Sequence, residues 1–201
     1  GRLSKIHPID LGAEVVDALV EKTGVPLTEI DDLIFGCVSQ VGAQSSNIAR
    51  NVCLSSVLGE GVPGTTVDRQ CGSGQQAMHF AAQGVLSGTQ NLVIAGGVES
   101  MSQVPIGASI IDGFKAEHGV PYGKKLSGRY PGVRFDQFAG AEMLARKYEL
   151  TQEELNAFAL DSHVKAKRAV QEGRFKNEIV PIEIELEDGS LELHIQDEGI
   201  R

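Results

Sequence analysis

The sequence predicts an α/β fold in which a mainly parallel sheet is covered by helices on both faces. Short, uninterrupted apolar runs alternate with segments of helical periodicity over the first half of the chain. Apolar runs of this kind are typical of strands that are buried on both faces, as in parallel sheets. The number of charged side chains differs between the two parts of the chain, since residues 1–114 carry 16 and residues 115–201 carry 29. We therefore expect an α/β domain over residues 1–113 and a more charged, more exposed domain over residues 114–201.

Helices and strands alternate along the first half of the chain. Apolar residues three or four apart predict a helix around residues 11–19, which Gly24 and Pro26 end. The same reasoning predicts a strand over 32–38, a helix over 47–57, a strand ending at Val67, a helix from Gln75 and a strand over 91–97. Because ligands of such sheets bind beyond the carboxyl ends of the strands, we expect the functional site near Cys71 and Gly96.

The second half has a different pattern. Residues 112–132 are rich in Gly and Pro, which predicts a loop or linker. Helices are predicted over 139–148 and 152–171, and Thr151 with Glu154 has the spacing of a capping box. The second of these helices carries a stripe that we expect to be buried, formed by Leu155, Phe158, Ala159, Ser162, Ala166 and Ala169. Alternating apolar residues over 178–195, with a turn at Gly189, predict an exposed β-hairpin.

Composition excludes several classes of function. The net charge of −9 argues against nucleic acid as the main partner. No run approaches the roughly 18 apolar residues of a membrane span, so we expect no membrane association. The three cysteines are an odd number without Cys-x-x-Cys spacing, and the five histidines contain no pair at metal-ligand spacing. We therefore expect no disulfide framework, no metal and a reducing compartment, the cytoplasm or an organelle matrix.

Cys71 is the strongest candidate for a reactive side chain. It falls where the predicted strand ending at Val67 gives way to a helix, within the sequence Val67-Asp68-Arg69-Gln70-Cys71-Gly72-Ser73-Gly74. A helix N-terminus favours the thiolate, which is the nucleophilic form of cysteine. Gly72 and Gly74 leave space for a flat acyl group beside the sulfur. A free cysteine is otherwise most often a small buried apolar side chain, and we interpret Cys37 and Cys53 in that way.

Four segments of the chain resemble the thiolase family of acetyl-CoA C-acyltransferases. They are residues 67–74, the run Ala95-Gly96-Gly97-Val98-Glu99-Ser100-Met101-Ser102, residues 156–166 and residues 172–181. The four segments occur in the family's order and spacing over essentially the whole chain. The resemblance implies a thiolase-like fold, in which the α/β domain over residues 1–113 lacks its first strand. An incomplete α+β loop domain, which binds coenzyme A in the family, would follow over residues 114–201.

The resemblance also implies a mechanism. Cys71 would attack the carbonyl carbon of an acyl-CoA and carry the acyl group as a thioester until a second thiol or a carbanion takes it. A CoA thioester would be the substrate, without a permanently bound cofactor, and the protein would form a homodimer or homotetramer. In thiolases the second half supplies an activating histidine, a second cysteine and part of the oxyanion holes. No such motifs occur here, so we expect this chain alone to be inactive.

Substrate preference and two alternatives stay open at this point. Short-chain thiolases carry a His-Met-Gly run in the acyl pocket, where this chain has Asp136-Gln137-Phe138. The resemblance therefore does not favour acetoacetyl-CoA over a larger or differently shaped acyl group, and Gln137 and Met101 are the candidate substrate-binding residues. One alternative is a condensing enzyme of the ketoacyl-synthase type. The other is a non-catalytic, thiolase-like subunit that binds acyl-CoA.

Overall fold

The computed structural model describes residues 1–201 and shows two compact units. The first unit comprises residues 1–119 and 180–194, and the second comprises residues 120–179 and 195–201. The predicted border near residue 113 differs from this division chiefly because residues 180–194 belong to the first unit. As a border between family domains, residue 113 stays a prediction. No helix is both long and apolar enough to cross a membrane.

A three-stranded parallel sheet forms the centre of the first unit. Its strands are β1 (Asp32–Gly36), β2 (Gly64–Val67) and β3 (Val93–Gly97), in the order β2-β1-β3. Both neighbours of β1 run parallel to it, which confirms the parallel sheet. Since β1 is the middle strand, all three carboxyl ends lie at the edge where Gly36, Val67 and Gly97 end their strands.

Helices cover both faces of this sheet. They are α1 (Pro8–Thr23), α2 (Ile48–Ser55) and α3 (Ser73–Leu86), each at a position that the sequence predicts. Leu33 and Phe35 of β1 belong to the main core with α1 and α2, whereas Ile34 packs with Ala77 and Ala81 of α3. Successive strand residues thus face opposite layers, which explains why the run lacks polar interruptions.

Two short helices lie within residues 112–132 or extend into them, so the prediction of a loop or linker there is wrong in part. They are α4 (Ala108–Lys115) and α5 (Lys124–Arg129). Gly107 and Gly123 occupy the N-cap positions, and the prolines at 105, 121 and 131 fall outside both helices. The Gly and Pro residues therefore mainly mark helix boundaries here, and their abundance does not indicate an irregular chain.

The helices of the second unit lie at the surface. Helices α6 (Gln137–Lys147) and α7 (Gln152–Gln171) occupy the predicted segments, and the capping box between Thr151 and Glu154 is present. The expected buried stripe on α7 is wrong, because α7 contains no buried residue and the Phe158 side chain is 79% exposed. Helical periodicity identifies the apolar face of a helix. It does not show whether the same chain contains another element that packs against that face.

The predicted hairpin is present, but the expectation that it is exposed is wrong for one face. Strands β4 (Ile182–Glu185) and β5 (Leu191–His194) pair in antiparallel register, with Ile182 opposite His194. One face of β4 is covered, since Ile182 and Ile184 are buried while the alternating glutamates are exposed.

Candidate active site

Cys71 lies in a tight turn between β2 and α3. The Gly72 N–H donates a 2.7 Å hydrogen bond to the carbonyl oxygen of Arg69, which closes a four-residue turn around Gln70 and Cys71. Cys71 has a φ of 59°, a left-handed conformation that residues with side chains rarely adopt. Such a conformation costs about 1–3 kcal/mol and persists only where the surroundings hold it. The thiol itself is exposed.

The hydroxyl of Ser73 holds the turn in place. Its Oγ accepts a hydrogen bond from the Arg69 N–H at 3.1 Å and donates one to the Arg69 carbonyl oxygen at 2.9 Å. The Arg69 guanidinium in turn donates from Nε to Oε1 of Gln76 at 2.6 Å. The first turn of α3 therefore fixes both the backbone and the side chain of Arg69, two residues before Cys71.

The start of α3 packs directly on β1. A Cβ atom at Gly36 would lie 2.3 Å from the carbonyl carbon of Ser73 and 2.4 Å from the backbone nitrogen of Gly74. A Cβ atom at Gly97 would lie 2.6 Å from the carbonyl oxygen of Gly36. Only residues without side chains allow this approach, so the glycines at the strand ends place the Cys71 turn over the middle of the sheet edge.

The N-terminus of α3 offers hydrogen-bond donors at the same place. Gly72 is its N-cap residue, and no side chain caps the helix. The first N–H groups of a helix have no intrahelical acceptor and carry the positive end of the helix dipole. An oxyanion that forms beside Cys71 would therefore be stabilised there.

The other two cysteines have the opposite environment. Cys37 and Cys53 are both fully buried. Burial raises the pKa of the Cys37 thiol to about 11, and the nearby carboxylates of Glu99 and Asp68 add to the effect. Burial also raises the pKa of Cys53. Both side chains stay protonated at neutral pH, and the prediction that they are packed, unreactive thiols fits this environment.

A buried amide joins the segments that follow β1 and β3. The fully buried side chain of Gln44 donates from Nε2 to the carbonyl oxygen of Ser39 at 2.8 Å and accepts at Oε1 from the Ser100 N–H at 2.6 Å. Glu99 accepts the Ser39 N–H at 2.8 Å. Sequence patterns do not reveal this network, because a lone Gln among Gly, Ala and Ser residues looks like an ordinary loop residue.

The two candidate substrate-binding residues lie in different units. Met101 follows β3 by four residues and is 53% exposed, in the segment that begins at the same sheet edge as the Cys71 turn. Gln137 is the first residue of α6 in the second unit. It lies on a largely apolar surface groove along α6, which is lined by Gln137, Gly140, Ala141, Met143, Leu144 and Lys147.

Comparison with known families decides the classification. The family model described as the N-terminal domain of thiolase matches residues 1–201. The chain belongs to the thiolase family. This confirms the family, and with it the α/β class, that the four sequence segments indicate.

Individual thiolases agree with the family match. The chain is 43% identical over 187 residues to a steroid 3-ketoacyl-CoA thiolase of Mycobacterium tuberculosis, covering 92% of this chain and 46% of that protein. It is 38% identical over 201 residues to a 3-ketoacyl-CoA thiolase of Psychrobacter cryohalolentis, covering 100% of this chain and 49% of that protein. The acetyl-CoA acetyltransferase of Bacillus anthracis has a similar structure, with a TM-score of 0.77 and 30% identity over 100% of this chain and 51% of that one. The chain thus spans about half the length of the thiolases that it matches.

Two of the segments that carry the thiolase resemblance meet at one sheet edge. Residues 67–74 form the end of β2, the Cys71 turn and the start of α3. Residues 95–102 form the end of β3 and the segment that contains Glu99 and Ser100. The sequence therefore predicts which segments gather at the site, although it does not predict that Gln44 joins them.

Proposed function

We propose that this chain is the nucleophile-bearing half of a thiolase-type acyltransferase, in which Cys71 accepts the acyl group of an acyl-CoA. The contrast among the three cysteines carries the proposal. Cys71 is exposed, strained and placed before an uncapped helix N-terminus, whereas Cys37 and Cys53 are buried. Strained backbone at an accessible nucleophile is a recurrent feature of catalytic sites.

The proposed reaction is the thiolysis of a 3-ketoacyl-CoA. The Cys71 sulfur forms a bond to the ketone carbon, the bond from that carbon to the α-carbon breaks, and the departing acetyl-CoA carbanion takes a proton. A CoA thiolate then attacks the Cys71 thioester, which releases Cys71 as a thiolate and forms the shortened acyl-CoA. Because the second step exchanges one thiol for another, it converts one thioester into another with little change in free energy.

The second half of the thiolase completes this site in our proposal. It would supply the base that activates Cys71, the acid that protonates the acetyl-CoA carbanion and further oxyanion donors. The chain itself supplies the nucleophile and the N–H groups at the start of α3. The chain's length, about half that of the thiolases it matches, supports this division of roles.

A bulky acyl group is the proposed substrate class. Asp136-Gln137-Phe138 replaces the His-Met-Gly run of short-chain thiolases, and one similar protein is named a steroid 3-ketoacyl-CoA thiolase. Gln137 on the α6 groove and Met101 beyond β3 are the proposed contacts to the acyl group.

We also propose that the protein forms a homodimer or homotetramer in a reducing compartment, without a permanently bound cofactor. Large apolar side chains on the outer face of α3 support a covering partner, since Met78 is 57% and Leu86 is 86% exposed.

Alkylation by iodoacetamide tests the role of Cys71. At pH 7 we expect Cys71 to be modified at least about tenfold faster than Cys53, because only an accessible thiolate reacts rapidly. Cys71→Ser removes the fast reaction, and Cys53→Ser leaves it unchanged. Slow and equal alkylation of all three thiols would contradict the proposal and favour the non-catalytic subunit.

A turnover assay tests the division between the two halves. We expect the 201-residue chain to show no thiolysis of acetoacetyl-CoA or of a bulky 3-ketoacyl-CoA. Measurable turnover by this chain alone would contradict the role that we assign to the second half.

A further inference from the structure

We infer that Gln44 is a positioning residue for the Cys71 nucleophile, acting by fixing the two chain segments that leave β1 and β3 beside it. This inference rests on the proposed function, because it assigns Gln44 a role through Cys71. It goes beyond that function by identifying a residue that neither the motifs nor the family match singles out.

The geometry of the Gln44 amide permits only one arrangement. The Ser39 carbonyl oxygen can only accept a hydrogen bond, and the Ser100 N–H can only donate one. The side chain of Gln44 must therefore present Nε2 to Ser39 and Oε1 to Ser100, at 2.8 Å and 2.6 Å. Gln44 has no exposed surface, so water cannot replace either hydrogen bond.

Both segments held by Gln44 connect directly to the Cys71 turn. Cys37, two residues before Ser39, donates its N–H to the carbonyl oxygen of Val67 at 3.1 Å, four residues before Cys71. On the other side, the Val98 N–H donates to the Gly36 carbonyl oxygen at 3.2 Å. Gly36 is the residue on which the first turn of α3 packs. A shift at either end of Gln44 is thus transmitted through one or two hydrogen bonds to the base of the turn.

Ser39 is fixed from two directions, which makes the arrangement rigid. Its carbonyl oxygen accepts from Gln44, and its N–H donates to Glu99 from the segment after β3. Glu99 is the titratable group that binds Ser39. Asp68 is the second carboxylate nearby, and with Glu99 it helps to raise the pKa of Cys37, two residues before Ser39. A second negative charge at position 44 would therefore be unfavourable in this buried site.

This charge pattern gives a sharp test in Gln44→Glu. A protonated glutamic acid at position 44 can donate to Ser39 and accept from Ser100, as glutamine does, whereas the ionised carboxylate cannot donate. Burial and Glu99 raise the pKa of the introduced group, so the protonated form persists at acidic pH and is lost as the pH rises.

The experiment measures the rate of Cys71 alkylation by iodoacetamide in the 201-residue chain between pH 5.5 and 8.5. The variant rate is divided by the wild-type rate at each pH, which removes the pH dependence that the two proteins share. We expect a ratio near one at pH 5.5 for Gln44→Glu, falling at least about tenfold by pH 8.5. Gln44→Met, which has a similar shape but no hydrogen bonds, is expected to show the low ratio at every pH.

Gln90→Met is the matched control. Gln90 donates to Asp32 at 3.1 Å, at the amino end of β1 and roughly 13 Å from the carboxyl edge, at about 3.3 Å per residue. The Gln90→Met substitution removes this partly buried hydrogen bond. It is expected to leave the ratio of variant to wild-type alkylation rates near one. Circular dichroism confirms that each variant is folded at each pH, and Gln44→Met keeps the test decisive where Gln44→Glu unfolds.

The outcomes separate this inference from the proposed function. Rapid alkylation of wild-type Cys71 together with ratios within twofold of one for both Gln44 variants would show that Gln44 serves stability alone. Slow alkylation of wild-type Cys71, no faster than that of Cys53, would instead overturn the proposed function.

Discussion

The carboxyl edge of the sheet and the helices of the second unit differ in how completely the chain covers its own apolar and polar groups. At the sheet edge, glycine backbones touch, Gln44 is fully buried and Phe35 is 3% exposed. In the second unit, helices α5, α6 and α7 contain no buried residue. Phe138 and Phe158 are 74% and 79% exposed.

This difference shows which part of the thiolase architecture is complete within these residues. The sheet edge has its packing partners in the first 119 residues, so its geometry is determined locally. The helices of the second unit have apolar faces of ordinary amphipathic character without a covering element in these residues. Stability of the chain should therefore depend on the first unit far more than on the second.

Substitution of one phenylalanine in each region gives the largest expected effect. Phe35→Ala removes a buried aromatic side chain from the main core and is expected to lower the free energy of unfolding by about 3–5 kcal/mol. Phe158→Ala removes an exposed side chain and is expected to change it by less than about 0.5 kcal/mol. Urea unfolding of the 201-residue chain measures both values. A loss of several kcal/mol from Phe158→Ala would show that α7 is covered in solution.

The secondary structure of the first unit could be predicted because its apolar sequence patterns are buried by packing partners within the same unit. The apolar run ending at Gly36 is buried on both faces, as a run without polar interruption requires. The burial of α7 could not be predicted, since periodicity identifies the face of Phe158 but not the presence of a cover. Alternation of Ile182 and Ile184 with glutamates did predict the hairpin, but not its grouping with the first unit.

Replacing one glycine by alanine in each region tests how closely the backbone is packed there. Gly36→Ala would place a Cβ atom against the backbone of Ser73 and Gly74, and is expected to cost about 1–3 kcal/mol or more. Gly140→Ala in α6 meets nothing within 4 Å and is expected to stabilise the helix by about 1 kcal/mol. Thermal unfolding checks the opposite signs. Equal, small effects would mean that α3 does not pack on β1 as closely as described.

The site was predictable only where its residues carry a local signal. Cys71 stands at a change from strand to helix beside two glycines, so its place in the chain predicts accessibility and a helix N-terminus. Its positive φ could not be read from the sequence, because cysteine has no preference for that conformation. Gln44 gives no signal at all, since its role depends on the meeting of Ser39 and Ser100, whose positions only the fold determines.

The smallest expected effect concerns the strained backbone at positive φ. Cys71 and Glu149 both adopt positive φ, at 59° and 53°, and both side chains are exposed. At each position the glycine variant is expected to be more stable than the alanine variant by about 1 kcal/mol, because glycine adopts this conformation without steric cost. Chemical unfolding of the four variants measures the two differences.

Equal differences at the two positions would show that the strain itself is ordinary, and that Cys71 differs from Glu149 only in what surrounds it. A difference near zero at Cys71 alone would show that the turn relaxes once the thiol is removed. In that case the hydrogen bonds from Ser73 to Arg69 would not suffice to hold the left-handed conformation. The position of the nucleophile would then depend on more than the turn and the helix that follows it.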